Sequence, residues 1–245
     1  MARKSTRFSI VVLIAAVAAV VAAFLYIPNI HTVSTKSADY SGDMPYNSVD
    51  EAIAALKTVK ISEADNSALY DRSEFGDWSR SDGRNTRTDV LAAQSNSHTI
   101  EKNKVVSGCW SIPYTGETVT YDNAKDISRE LQIDHIVPVS YAFHHGASEW
   151  DTDKRQEFYN DSGVDDGHSV GDNGKDDLPN VGNLVVSDRR SNISKSDSGP
   201  SEWMPSNESY WVSYCESWTK ICSTYGISLS KADYDKIMSV LESAR

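Results

Sequence analysis

Apolar residues at helical spacing bracket the chain. Ser48-Val49-Asp50-Glu51 reads as a capping box, and Ala52, Ile53, Leu56 and Val59 then recur along one helix face. Near the other end, Trp211, Tyr214 or Cys215, Trp218, Ile221 or Cys222, and Tyr225 repeat at the same spacing across residues 209–225, with Gly226 as the stop. Ser230 opens a last helix with Tyr234, Ile237, Met238 and Leu241 inward. The pattern between them is shorter and mixed. Residues 86–93 predict a helix, as do 148–160. Val105-Val106 and residues 118–121 predict strands around a turn at Pro113-Tyr114-Thr115-Gly116. Ile127 to Leu131 leads into an apolar strand-like run at 133–140, and Asn183-Leu184-Val185-Val186-Ser187 predicts another strand. The polar stretch 188–197 follows as a short helix. This is an α+β pattern. The aromatic stripe in 209–225 is core by default, ahead of a stacking platform for nucleic acid.

Residues 8–27 form an apolar run broken only by Ser9 and Tyr26, preceded by Arg3, Lys4 and Arg7. That length can span a bilayer, and the flanking positive charge would put the rest of the chain outside the cytoplasm. Residues 1–27 are therefore expected to be an uncleaved signal anchor or a cleaved signal peptide, and the protein secreted or tethered to the outer face of the cell membrane. Residues 28–45 read as a flexible linker, and 46–245 as one domain with a sizeable core.

Charge changes the picture. Of 24 basic and 35 acidic residues, the leader takes three bases and no acid, so the remainder carries a net −14. That is the wrong sign for holding nucleic acid by bulk electrostatics, and it predicts weak, salt-sensitive binding of any such substrate. Half of the excess lies in 149–177, with ten acids against three bases. The Gly-, Asp- and Asn-rich stretch 161–179 reads as an acidic insertion, and its aspartates do not match an EF-hand loop.

The candidate chemistry lies at Asp134-His135. Adjacent strand residues face opposite ways, so the pair splits across a strand unless the strand ends or bulges there. With Pro138 following, Asn183 opening the second strand, and Asn192 and Lys195 three apart in the short helix, the chain resembles the HNH (His-Me finger) nucleases with their ββα-metal motif. More widely it resembles secreted actinobacterial HNH proteins related to the C-terminal domain of GmrSD-type restriction enzymes. That likeness is carried by Tyr70-Asp71-Arg72 to Phe75, Asn85-Thr86-Arg87 to Leu91, Pro113 to Gly116, Gly146-Ala147 to Trp150, and Trp203-Met204-Pro205.

The resemblance implies a ββα-metal core among additional packed helices. It implies a metal-dependent endonuclease cutting phosphodiester bonds to leave a 5′ phosphate. Its general base would be His135, its divalent ion, Mg²⁺ or else Mn²⁺, would be held by Asp134 and Asn192, and Asn183 would buttress the loop that aims the histidine. Lys195 would be a cation near the phosphate or a support at the helix end, and Asp197 a lesser candidate ligand. An imidazole and a hard cation suit such hydrolysis. Arg87, His144, His145, Arg189 and Arg190 are further candidates for substrate contact, although Arg87 could equally serve a structural carboxylate. The His144-His145 pair lacks companion ligands at metal spacing. DNA is the expected substrate and the protein is expected to be monomeric. No nucleotide cofactor is expected, because the chain has no P-loop pattern. The rival readings are a non-catalytic extracellular binding protein on the same scaffold, and a hydrolase of another extracellular phosphodiester. Among the three cysteines, Cys215 and Cys222 lie seven apart on one helix, beyond disulfide reach, whereas Cys109 could pair with either.

Overall fold

The computed structural model describes residues 44–81, 83–163 and 182–245. The predicted signal segment, most of the linker and most of the acidic insertion lie outside them. Among the described residues, no helix is long and apolar enough to cross a membrane.

The helices form where the caps place them. In α1 (Val49–Leu56), Ser48 Oγ accepts from the Glu51 amide while Glu51 Oε2 accepts from the Asn47 amide, which secures the first turn. A two-stranded ribbon, β1 (Arg80–Ser81) with β2 (Arg84–Asn85), leads into α2 (Thr86–Ala93), capped by Asn85. Next comes an antiparallel sheet, β3 (Ser97–Glu101), β4 (Lys104–Ser111) and β5 (Thr118–Tyr121) in that order. Helix α3 (Ala124–Glu130), capped by Asn123, occupies the stretch expected to lead directly into the site strand. Then follow β6 (Leu131–His135), α4 (Val139–His144), α5 (Thr152–Asn160), β7 (Leu184–Asp188), α6 (Arg189–Lys195), α7 (Trp211–Tyr225) and α8 (Lys231–Ser243). Gly226 stops α7 at φ 74°, a left-handed turn that a side chain would strain.

Two cores flank the β6–β7 pair. Leu131, Ile133, Leu184 and Val186 pack with Val90, Leu91, Trp110 and Ile112 toward the three-stranded sheet. Val185 packs on the other side, among the side chains of α1, α4, α5, α7 and α8. The alternation follows from the period of two along a strand. Helix α2 and its C-cap, Gln94, clasp the pair. Arg87 Nη2 donates to the Leu131 carbonyl at 2.8 Å, Gln94 Nε2 donates to the Leu184 carbonyl at 2.8 Å, and Gln94 Oε1 accepts from the Val186 amide at 2.8 Å. Backbone groups at the edges of the pair are thereby satisfied inside the molecule.

The strand predicted for 133–140 stops at His135. Pro138 has no N–H to give to a ladder, and the Val137 amide donates to Asn183 Oδ1 instead. Val139 can then open α4.

Candidate active site

Strand β6 runs antiparallel to β7 with Asp134 opposite Val185 and His135 opposite Leu184, and α6 packs on both strands. Asp188 caps α6 by accepting from the Ser191 amide at 2.9 Å, so the second strand passes directly into the helix.

Asp134 is turned into the helical core. Its Oδ2 accepts from Tyr114 Oη at 2.7 Å and lies 2.9 Å from Lys195 Nζ. Lys195 has no exposed surface and also donates to the His135 carbonyl at 2.8 Å. Burial pulls the ammonium pKa down, and Asp134 opposes that by favouring its charged form. Burial, followed by the Asp134 charge, pushes the Tyr114 phenol well above its ordinary value, so it remains a donor. One lysine at the end of α6 thus ties the helix to both the side chain of Asp134 and the backbone of His135.

His135 is buried on the other side of the strand. Its Nε2 lies 2.9 Å from the Tyr159 carbonyl. A carbonyl can only accept, so Nε2 carries the proton and Nδ1 carries the lone pair in the neutral ring. Nδ1 has no hydrogen-bond partner among the described residues. The imidazole lies parallel to the Trp78 indole, with centroids 5.7 Å apart and planes at 5°, and Phe158 stacks on it at 6.3 Å. Burial lowers its pKa to about 3, and the charges of Arg72 and Lys195 push the same way against the Tyr159 carbonyl. The ring is therefore neutral at working pH. Asn183, fully buried, accepts from the Val137 amide at 2.8 Å, donates to the Val137 carbonyl at 3.2 Å and receives the Ile136 amide on its own carbonyl at 2.8 Å. The loop leaving His135 is fixed by that one side chain and its backbone.

Asn192 is half-buried on α6, and its side chain has no hydrogen bond to another described residue. Arg189 and Arg190 are exposed on the same helix. Arg87 is committed to the Leu131 carbonyl. His145 is buried and stacked on Tyr141 at 4.1 Å with Ser228 beside it, and His144 Nδ1 donates to the Asp65 carbonyl at 2.9 Å. These two histidines line a cleft of about 380 Å³ with Asp197, Glu202 and Asp233, and neither His135 nor Asp134 lines it. Its acidic walls disfavour a phosphate. Among the described residues, no group of three or more His, Cys, Asp or Glu side chains could hold a metal ion.

Residues 112–149 match the HNH endonuclease family. An uncharacterized secreted protein of Arthroderma benhamiae is 33% identical over 174 residues, covering 70% of this chain and 74% of that protein. The chain belongs to an HNH family. The matched HNH segment contains Asp134, His135, Pro138, His144 and His145, while Asn183, Asn192 and Lys195 lie beyond it. No solved structure matches the chain. Sequence reasoning assigned no role to four residues that the HNH domain gathers here: Tyr114 on Asp134, and Trp78, Tyr159 and Arg72 around His135. Tyr114 and Arg72 fall in segments that carry the resemblance, which was their one signal.

Proposed function

We propose that the protein is an exported, metal-dependent HNH endonuclease that hydrolyses phosphodiester bonds in nucleic acid, DNA foremost, as a monomer. The observation that carries this reading is the state of His135: Nε2–H is spent on the Tyr159 carbonyl and Nδ1 is left with its lone pair. A general base needs that lone pair and a fixed ring. Nδ1 takes a proton from the attacking water, and the Tyr159 carbonyl stabilises the imidazolium that forms. Asn183 holds the loop, and Lys195 keeps β6 and α6 in register.

The donor set fits a hard divalent ion. Asp134 spends Oδ2 on Tyr114 and Lys195, which leaves Oδ1 for a ligand, and Asn192 offers an unengaged amide oxygen. Two oxygen ligands suit Mg²⁺, which keeps several waters, and accord with the lack of a denser ligand cluster among the described residues. When bound, such an ion would supply counter-charge to the phosphate and the leaving 3′ oxygen. The secreted relative supports export, and residues 1–27 would provide the signal or anchor. The segments shared with GmrSD-type C-terminal domains support kinship with that branch, without its nucleotide-handling domain.

The test is plasmid cleavage at low salt with Mg²⁺ or Mn²⁺, beside His135→Ala and an EDTA control. Expected is metal-dependent nicking reduced by about 10²-fold or more in the variant. Equal cleavage by both proteins, or none of DNA or RNA by a folded protein, would overturn the reading.

A further inference from the structure

Tyr159 touches the site twice. Its carbonyl holds His135 Nε2–H at 2.9 Å, and its phenol accepts from Arg72 Nη2 at 3.3 Å. The Arg72 guanidinium also sits over the Tyr159 ring, 5.2 Å from the centroid. Tyr70 is the other phenol near the guanidinium, and the Arg72 charge reaches the His135 imidazole. Arg84, Arg129, Arg155 and Arg245 each pair with a carboxylate. Arg72 has no carboxylate within 4 Å among the described residues, although the domain is strongly acidic. Its partners are two neutral phenols and an aromatic face, which orient a guanidinium without neutralising it.

We propose that Arg72 is a catalytic residue that contacts the phosphodiester beside His135, and that Tyr159 is a positioning residue setting the distance between base and arginine. This rests on the nuclease reading above. A guanidinium is planar and presents paired donors, which match two phosphate oxygens. It would gain most on the pentacoordinate phosphorus, where negative charge on those oxygens grows. Arg72 does not take or give a proton. The base and the cation hang from one residue, so a phosphate gripped by Arg72 lies at a set distance from the water held by Nδ1. That arrangement gives a negatively charged domain an oriented, unneutralised cation beside the base.

Two measurements test this on the full chain. One is steady-state cleavage of a short oligonucleotide. The other is anisotropy of a labelled phosphorothioate oligonucleotide in EDTA, with wild type, Arg72→Gln, Arg72→Lys and Tyr159→Phe. Arg72 is exposed, so its replacement should leave the fold intact and lower the melting temperature only slightly. Arg72→Gln should lower kcat/KM by about 10²-fold, mostly in kcat, with Lys restoring part of it. Tyr159→Phe keeps the carbonyl and the ring, and should cost several-fold in kcat with the pH profile unmoved. If wild type cleaves and Arg72→Gln cleaves equally well, the inference fails and the nuclease reading stands. If wild type does not cleave, a weaker complex for Arg72→Gln would keep the phosphate contact and sink hydrolysis, whereas equal anisotropy would sink both.

Discussion

Asp134 and His135 are neighbours in the chain and opposites in the fold. Asp134 faces a core where a phenol and an ammonium with no exposed surface satisfy one of its oxygens. His135 faces an aromatic wall, and among the described residues it makes a single side-chain hydrogen bond and has one nitrogen left over. One side of the strand is tied down through a single carboxylate oxygen, and the other is aimed and incomplete. The tied side is what holds the incomplete side still, because Lys195 binds both the Asp134 carboxylate and the His135 backbone.

Breaking the tied side should have the largest effect. Lys195→Met leaves Asp134 charged and buried without its cation, which should cost about 3–5 kcal/mol in urea unfolding. Adding Asp134→Asn to that variant should recover a good part of the loss, and a double-mutant cycle with no coupling would contradict the ion pair. Asn183→Ala removes two side-chain hydrogen bonds to Val137 and should cost about 1–3 kcal/mol. Cleavage should fall with it, since the loop behind His135 loosens.

Glu216 sharpens the comparison, being a buried carboxylate without Asp134's partners. It has no exposed surface, and among the described residues no side chain donates to it; the Tyr46 backbone amide is what favours its charged form. Burial raises its pKa to about 7. The unfolded chain releases this proton near pH 4.5 while the folded protein keeps it, so stability should fall from about pH 4.5 to 7 and then level off. Glu216→Gln should flatten that slope and gain on the order of 1–2 kcal/mol at pH 8, read from thermal melts across pH. The smallest effect belongs to Arg87→Ala. Loss of its bond to Leu131 should cost about 1 kcal/mol while KM for oligonucleotide stays unchanged. A raised KM would return Arg87 to the substrate.

The ends of the molecule were legible because capping signals and apolar spacing agree there, as at Ser48 and at Ser230. The β6–β7–α6 order was legible from Asp134-His135 and from the Asn183, Asn192 and Lys195 spacing. Three features were not. Strand β3 is made of Ser97, His98, Thr99, Ile100 and Glu101, mostly exposed, and exists through its pairing with β4 rather than through its own pattern. Residues 124–130 carry a capping Asn123 that an apolar reading passes over. The apolar run past His135 looks like strand because the break at Val137 depends on Asn183, 46 residues away. The site was half legible for the same reason. Lysine is ordinarily a surface residue, so nothing local announces that Lys195 is buried. Trp78, Tyr114 and Tyr159 reach the site by tertiary packing alone.

The three cysteines are all reduced. Burial pushes the Cys215 thiol up to about 12 and Cys222 further still, so neither offers a thiolate to an oxidant or an alkylating reagent at neutral pH. Cys109 is half-buried on β4. The domain can therefore be produced in a reducing cytoplasm without oxidative refolding. A maleimide dye should attach at one position, giving a singly labelled nuclease domain without removing a native cysteine.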